Sequence, residues 1–128
     1  MDRKPKVVFI DDEEAFLEIY NAKFTQAGFE VAVCLGGAEA FSKVKAFKPD
    51  IILLDLVMPE VDGIDILKKL KSDPETKWIA VVMLSNMNNL SDKEECMRQG
   101  ASQYLIKADV TPEELRRHVE EIVKNSAK

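Results

Sequence analysis

Five short apolar runs recur along the chain, and each is followed by a longer segment with apolar residues at helical spacing. The runs cover residues 7–10, 30–34, 51–54, 80–84 and 103–106. The central run consists of four consecutive aliphatic residues, which suits a strand covered on both faces because no side remains for polar groups. The pattern therefore predicts five strands.

Turn and capping residues predict a helix after each of the first three strands. A first helix covers about residues 14–27 and is stopped by Gly28. The pair Gly36-Gly37 opens a second helix, which Pro49 ends, because proline disfavours helical structure in the residue before it. A third helix begins at residues 62–63, where Asp62 can cap the free N–H groups of the first turn.

Two further helices follow the last two strands. Ser91 and Glu94 have the spacing of a capping box and predict the start of a fourth helix that runs to about residue 99. Thr111 followed by Pro112 is a strong start for the fifth, whose last residues, 125–128, should fray. The fourth helix has only a thin apolar stripe, formed by Leu90, Cys96 and Met97.

The other helices carry clear apolar stripes that predict their buried faces. The predicted inner residues are Leu17, Tyr20, Phe24 and Ala27 in the first helix, Ala40, Phe41, Val44 and Phe47 in the second, Ile64, Leu67 and Leu70 in the third, and Leu115, Val119, Ile122 and Val123 in the fifth.

Strands that alternate with helices predict one parallel sheet with helices on both faces, joined by right-handed crossovers. The fold class is therefore α/β. At 128 residues and 14.4 kDa, the chain has the size of one ordinary domain, which we expect to span residues 1–128.

Composition and charge narrow the function classes. The net charge is -5 and the pI is about 5.0, which argues against direct binding to nucleic acid or to an anionic membrane. No run approaches the ~20 apolar residues of a membrane span. Cys34 and Cys96 lie far apart and form no zinc motif, so we expect buried thiols in a protein of the reducing cytoplasm.

Polar residues end four of the five predicted strands. Asp11 and Asp12 follow the first strand, Asp55 the third, Ser85 the fourth and Lys107 the fifth. Because parallel strands place their carboxyl ends on one edge of the sheet, we expect these side chains to converge there, where open α/β sheets bind ligands.

The three carboxylates in this cluster predict a bound cation, since without one they would repel one another. Oxygen ligands of this kind are what Mg²⁺ prefers. Beside such an ion, Asp55 could act as a nucleophile toward phosphorus and form an aspartyl phosphate. The hydroxyl of Ser85 and the ammonium of Lys107 could then bind the phosphoryl oxygens.

Four motifs at strand ends resemble the receiver domain of two-component response regulators, of the single-domain, chemotaxis-regulator-like kind. They are Phe-Ile-Asp-Asp-Glu at residues 9–13, Leu-Asp-Leu-Val-Met-Pro through Asp-Gly at 54–63, Met-Leu-Ser at 83–85 and Tyr-Leu-Ile-Lys at 104–107. The resemblance covers essentially the whole chain. It implies a flavodoxin-like (βα)5 fold with strand order 2-1-3-4-5.

The resemblance also implies a function. Asp55 would accept a phosphoryl group, with Mg²⁺, from the phosphohistidine of a sensor histidine kinase or a histidine phosphotransfer protein. The phosphorylated chain would signal to a downstream protein, as yet unknown, through the face formed by the fourth helix, the fifth strand and the fifth helix. Its only catalysis would be its own phosphorylation and dephosphorylation, and whether phosphorylation makes a dimer stays open.

Individual roles follow from the resemblance position by position. Asp12 and Asp55 would bind Mg²⁺ directly, Asp11 would act mainly through water, and the backbone carbonyl of Val57 would complete the protein ligands. Ser85 would swing toward the phosphoryl group, which Lys107 would pair with. Tyr104 would change rotamer as Ser85 moves, and the added charge would bias a bistable loop and helix.

Two positions depart from the usual family pattern. Ala108 follows Lys107 where proline is common, so the conformation of this peptide is open, and Asn86 is larger than the residue often found after the hydroxyl. Val57 and Met87 flank the expected phosphoryl group, and neither side chain can orient a water by hydrogen bonding. We therefore expect a long-lived phosphorylated state.

Other functions share parts of this pattern. A haloacid dehalogenase-type phosphohydrolase would carry Asp-x-Asp after the first strand, and a flavodoxin-like cofactor binder would need a glycine- and hydroxyl-rich loop there. The acids at 11–14 fit neither. No output segment follows the fifth helix, so we expect a stand-alone regulator or a receiver cut from a larger protein, which includes a receiver attached to a histidine kinase.

Overall fold

The computed structural model describes residues 4–86 and 89–126, in which five strands alternate with five helices. The strands are β1 (Lys6–Asp11), β2 (Glu30–Leu35), β3 (Ile51–Leu54), β4 (Ala80–Ser85) and β5 (Gln103–Ile106). The helices are α1 (Glu14–Gln26), α2 (Ala40–Phe47), α3 (Gly63–Ser72), α4 (Leu90–Arg98) and α5 (Pro112–Ser126).

The strands form one parallel sheet in the order β2-β1-β3-β4-β5, which confirms the predicted topology. Ile10 of β1 and Met83 of β4 both lie opposite Leu54 of β3. Ser85, the last residue of β4, lies opposite Ile106. This register brings the ends of four neighbouring strands level with one another.

Each inner strand is buried on both faces, so its residues alternate between two hydrophobic clusters. In β3, Ile52 and Leu54 pack on one side of the sheet, and Ile51 and Leu53 pack on the other. Residues of α2, α3 and α4 cover the first side, and residues of α1 and α5 cover the second. This arrangement explains why the central strands read as continuous apolar runs.

The start of α5 is capped as predicted. The backbone N–H of Glu114 donates to the Thr111 hydroxyl at 3.0 Å, and the Thr111 N–H donates to the Glu114 carboxylate at 2.9 Å. The predicted cap of α4 is wrong. The side chain of Asn89 accepts from the N–H of Asp92 at 3.2 Å, so the helix begins before Ser91, which lies in its first turn.

The predicted apolar stripes are mostly confirmed, with two exceptions. Ala27 is exposed because α1 ends at Gln26, and Ala27 only caps it. In α4 only Cys96 is buried, whereas Leu90 and Met97 are 68% and 42% exposed. The other predicted inner residues are buried or half-buried against the two clusters.

Two further expectations concern chemistry outside the sheet edge. Cys34 and Cys96 are both buried free thiols, as predicted. Within residues 4–86 and 89–126, no helix is long and apolar enough to cross a membrane.

The second helix begins later than Gly36-Gly37 indicated, because residues 36–39 form bends and turns before Ala40.

Gly63 presses the start of α3 against the end of β3. Its N–H donates to the carbonyl of Leu56 at 2.8 Å. A Cβ atom on Gly63 would lie 2.4 Å from the carbonyl oxygen of Asp55 and 2.7 Å from the Cα of Leu56. Only glycine allows this close backbone approach, which fixes the loop that follows Asp55.

We expect Gly63→Ala to lower the free energy of unfolding by about 3 kcal/mol, because the backbone atoms of Asp55 and Leu56 that the new methyl group meets cannot move aside easily. Urea denaturation measures this loss. Gly37→Ala is the matched control, since its Cβ would meet side-chain atoms of Ile66 and Val61 rather than backbone. An equal loss in the two variants would contradict the explanation.

Candidate functional site

Three carboxylates meet at the carboxyl edge of the sheet, as the strand pattern predicted. Asp11 ends β1, Asp12 follows it, and Asp55 follows β3. One oxygen from each lies within 4.8 Å of the others. The N–H of Asp55 donates to the carbonyl of Ile10 at 2.9 Å, so backbone pairing of neighbouring strands holds the group together.

Lys107 brings a positive charge into this cluster. Its Nζ lies 2.8 Å from Oδ2 of Asp11, 2.9 Å from Oε1 of Glu13 and 3.7 Å from Oδ2 of Asp55. The ring of Phe16 lies against the ammonium, with its centroid 4.4 Å from Nζ. Only 2% of the lysine side chain is exposed, so the ammonium exchanges water for three carboxylates and an aromatic face.

The peptide after Lys107 is trans, because the described part of the chain contains no cis peptide bond. Residues 107–109 form a short 3-10 turn directly after β5. Ala108 is exposed. Lys107 points at the acids although no proline follows it.

Burial sets the electrostatics of the acids. It raises the pKa of Asp55, and the charge of Asp11 and a hydrogen bond with Asp12 raise it further, against the opposing effect of Lys107. Burial likewise raises the pKa of Asp11, although its hydrogen bond from Lys107 opposes this. The carboxylates are therefore poorly compensated by the chain's own groups.

The pKa of Lys107 shifts in the direction that keeps its charge. Burial alone would lower this pKa, but the hydrogen bonds to Asp11 and Glu13, followed by the charges of Asp11 and Asp55, outweigh burial and raise it. The ammonium thus stays protonated although it lies inside the protein.

Ser85 and Tyr104 lie side by side next to the acidic cluster. Ser85 ends β4 and is completely buried. Tyr104 of β5 is 9% exposed, and burial raises the pKa of its hydroxyl while a hydrogen bond with Ser85 lowers it. The tyrosine is therefore turned inward toward the hydroxyl. The proposed movements of these two residues stay a prediction.

Val57 and Asn86 are exposed positions beside the site. Val57 follows Asp55 by two residues, its side chain is 55% exposed, and its backbone pairs with that of Asp62. Asn86 is exposed directly after β4. Met87 lies outside the described residues. The assignment of the Val57 carbonyl as a metal ligand stays a prediction.

Sequence reasoning missed two residues of the site. Glu13 was part of a matching motif but had no role, and it forms an ion pair with Lys107. No sequence pattern points to Phe16, although its ring covers the same ammonium. A third acid directly after the strand-end pair was the available signal for Glu13. The contact between Phe16 and Lys107 depends on where β5 lies in the sheet, which local sequence patterns near Phe16 do not determine.

The residues fit a small divalent cation. All three candidate ligands are carboxylates, whose hard oxygen atoms suit Mg²⁺, and they lie close enough to share one ion. A cation there would also offset the charge that Lys107 leaves uncompensated.

Comparison with known proteins gives consistent matches. The family described as "Response regulator receiver domain" matches residues 7–120. Response regulator PleD of Caulobacter vibrioides is 36% identical over 102 residues, which are 80% of this chain and 22% of PleD. The chain spans about a fifth to a half of the length of the curated relatives that it matches.

Solved structures agree on the fold. The CheY-like response regulator receiver domain protein of Methanospirillum hungatei has a TM-score of 0.90 at 20% identity, and the match covers 96% of each chain. The Mn²⁺-bound form of response regulator Rcp1 has a TM-score of 0.75 at 22% identity, covering 94% of this chain and 90% of that chain. These structures show the fold alone, whereas the family match over residues 7–120 favours a receiver over a haloacid dehalogenase-type enzyme or a flavodoxin-like cofactor binder.

The buried charge of Asp55 predicts how stability varies with pH in the presence of a chelator. Because the folded-state pKa of Asp55 is raised, the folded protein binds a proton more tightly than the unfolded chain. Proton binding by Asp55 therefore stabilises the folded protein at low pH. This stabilisation is lost as pH rises through the raised pKa of Asp55. We therefore expect Asp55→Asn to raise Tm by about 5 °C at pH 8, with a smaller gain at pH 5.

Thermal unfolding followed by circular dichroism across this pH range measures the difference. Glu18→Gln, which removes an exposed acid of α1, is the control and should leave Tm nearly unchanged. A gain for Asp55→Asn that stays constant with pH would show that titration of Asp55 is not its source.

Proposed function

The chain belongs to the response regulator receiver domain family, and on that premise we propose that it is a phosphorylation switch of a two-component system with Asp55 as the phosphoacceptor. The observation that carries this proposal is the position of the Asp55 carboxylate at the carboxyl edge of the sheet. Its carboxylate is buried at the end of the central strand among two other acids, with the Lys107 ammonium 3.7 Å away.

The reaction needs a carboxylate oxygen that can reach a phosphorus atom. An oxygen of Asp55 forms the new bond to phosphorus while the bond from phosphorus to the histidine nitrogen breaks, and its electron pair stays on the imidazole. The donor is a sensor histidine kinase or a histidine phosphotransfer protein. Lys107 and Ser85 supply an ammonium and a hydroxyl to the phosphoryl oxygens.

Asp12 and Asp55 would bind Mg²⁺ directly, Asp11 would act through water, and the Val57 carbonyl would complete the set. When bound, the ion supplies positive charge to the phosphoryl oxygens. The close carboxylate oxygens support this assignment. The Mn²⁺ in the name of the related Rcp1 structure also fits a divalent cation.

Signalling follows from a change at Ser85 and Tyr104. A phosphoryl group adds about -1.5 to -2 charges at Asp55. Ser85 would turn toward it, and Tyr104 would fill the space that this movement leaves. Leu90 and Met97 lie seven residues apart on one side of α4 and are exposed, which supports α4, β5 and α5 as the face that contacts the downstream protein.

In this proposal the chain is a single receiver domain over residues 1–128 that acts in the cytoplasm by binding proteins. It catalyses only its own phosphorylation and dephosphorylation, and it contacts neither nucleic acid nor membrane directly. A receiver attached to a histidine kinase would use the same site to pass the phosphoryl group to a second histidine.

Intact mass after incubation with acetyl phosphate tests the acceptor. We expect one added phosphoryl group in the wild type with Mg²⁺, and none in Asp55→Asn or with a chelator. Glu18→Gln is the matched control and should be phosphorylated like the wild type. A phosphoryl group on Asp55→Asn, or none on the wild type with either acetyl phosphate or a phosphohistidine donor, would contradict the proposal.

The exposed apolar side chain of Val57 predicts slow loss of the phosphoryl group, because it cannot hold a water in position for attack. We expect Val57→Asn, which adds a hydrogen-bonding group of similar size, to shorten the phosphoryl lifetime several-fold. Intact mass at intervals after removal of the donor measures the decay. Val57→Ala is the control that removes bulk alone, and equal decay in both variants would point to access rather than to water orientation.

A further inference from the structure

Glu13 reaches from the surface into the buried site to contact Lys107. About half of its side chain is exposed, whereas only 2% of the lysine side chain is. Its Oε1 lies 2.9 Å from the Lys107 Nζ. The N–H of Glu13 donates to Oδ1 of Asp11 at 3.0 Å, so the backbone that carries this glutamate is attached to the site.

The surroundings of the ammonium leave little freedom for a new partner. An ammonium has three N–H donors. Asp11 and Glu13 lie at hydrogen-bond distance, at 2.8 and 2.9 Å, and the ring of Phe16 covers a further side. Asp55, at 3.7 Å, is beyond hydrogen-bond distance. A phosphoryl group on Asp55 would therefore compete with the present partners for the N–H donors of Lys107.

The two carboxylate partners differ in how easily they can be released. The Asp11 side chain is 7% exposed, and leaving it without Lys107 would strand a buried charge. Glu13 is half exposed, so water can solvate its carboxylate once the ammonium leaves. Glu13 is thus the partner whose displacement costs less free energy.

We propose that Glu13 is a positioning residue that holds Lys107 away from Asp55 in the unphosphorylated protein and is displaced when the phosphoryl group arrives. The inference rests on the proposed function, because it assumes phosphorylation at Asp55. Glu13 then competes with the phosphoryl group for one ammonium. It lowers the phosphorylated fraction at a given donor concentration.

Glu13→Gln removes the charge of the competitor and keeps its size. Glu14→Gln is the matched control, because Glu14 is the next residue, is exposed, changes the net charge equally and is not among the described ion-pair partners of Lys107. Glu13→Ala removes the acceptor altogether and should act in the same direction as Glu13→Gln. The full chain is used throughout.

The first reading is the side-chain ¹⁵N NMR signal of the Lys107 ammonium in protein without metal or donor. We expect this signal to shift in Glu13→Gln and to stay in place in Glu14→Gln. A role of Glu13 in general surface charge would not separate the two variants.

The second reading is the phosphorylated fraction at saturating Mg²⁺ and sub-saturating acetyl phosphate. We expect the ratio of phosphorylated to free protein to be about two- to five-fold higher in Glu13→Gln than in Glu14→Gln, as fits the loss of one partly exposed ion pair. If the wild type is phosphorylated and the two variants agree in both readings, the inference is wrong. A wild type that no donor phosphorylates overturns the proposed function as well.

Discussion

The pairing of buried carboxylates with one buried ammonium is the interaction on which the site depends. Asp11 and Asp55 are each 5% exposed, and neither has access to enough water to solvate its charge. Lys107, in the turn directly after β5, offsets the repulsion between the two carboxylates and lies 2.8 Å from Asp11. The chain can bring it there only because β5 pairs with β4 in the register that places Ile106 opposite Ser85.

Apolar burial around the sheet offsets the unfavourable free energy of burying these charges. The inner strands are buried on both faces, and the two clusters that cover them contain nearly all of the large apolar side chains of the strands. Burial of such side chains is the main favourable contribution to folding. Charges at the strand ends can therefore remain poorly compensated, since the stability of the domain comes from the layers beneath them.

How much the sequence predicts depends on the range over which each feature is determined. The strands and the residues at their ends follow from apolar runs and from the rules of parallel sheets, whereas the strand order followed only from the resemblance to a known family. The capping box at Thr111 follows from four adjacent residues. The start of α4 was wrong because Asn89 and Ser91 are both good capping residues, and local pattern does not choose between them. The contact of Glu13 with Lys107 spans 94 positions and depends on side-chain reach, which periodicity does not contain.

The strand order has a mechanical consequence. β3, which presents Asp55, lies at the centre of the sheet and is hydrogen-bonded on both sides, so its end is a rigid support. β5, which presents Tyr104 and leads into Lys107, is a four-residue edge strand with a single neighbour. A displacement of β5 disturbs one ladder of hydrogen bonds instead of two. Under the proposed function, the phosphoryl group would therefore form at the rigid centre of the sheet, and the response would appear at an edge strand held by a single ladder.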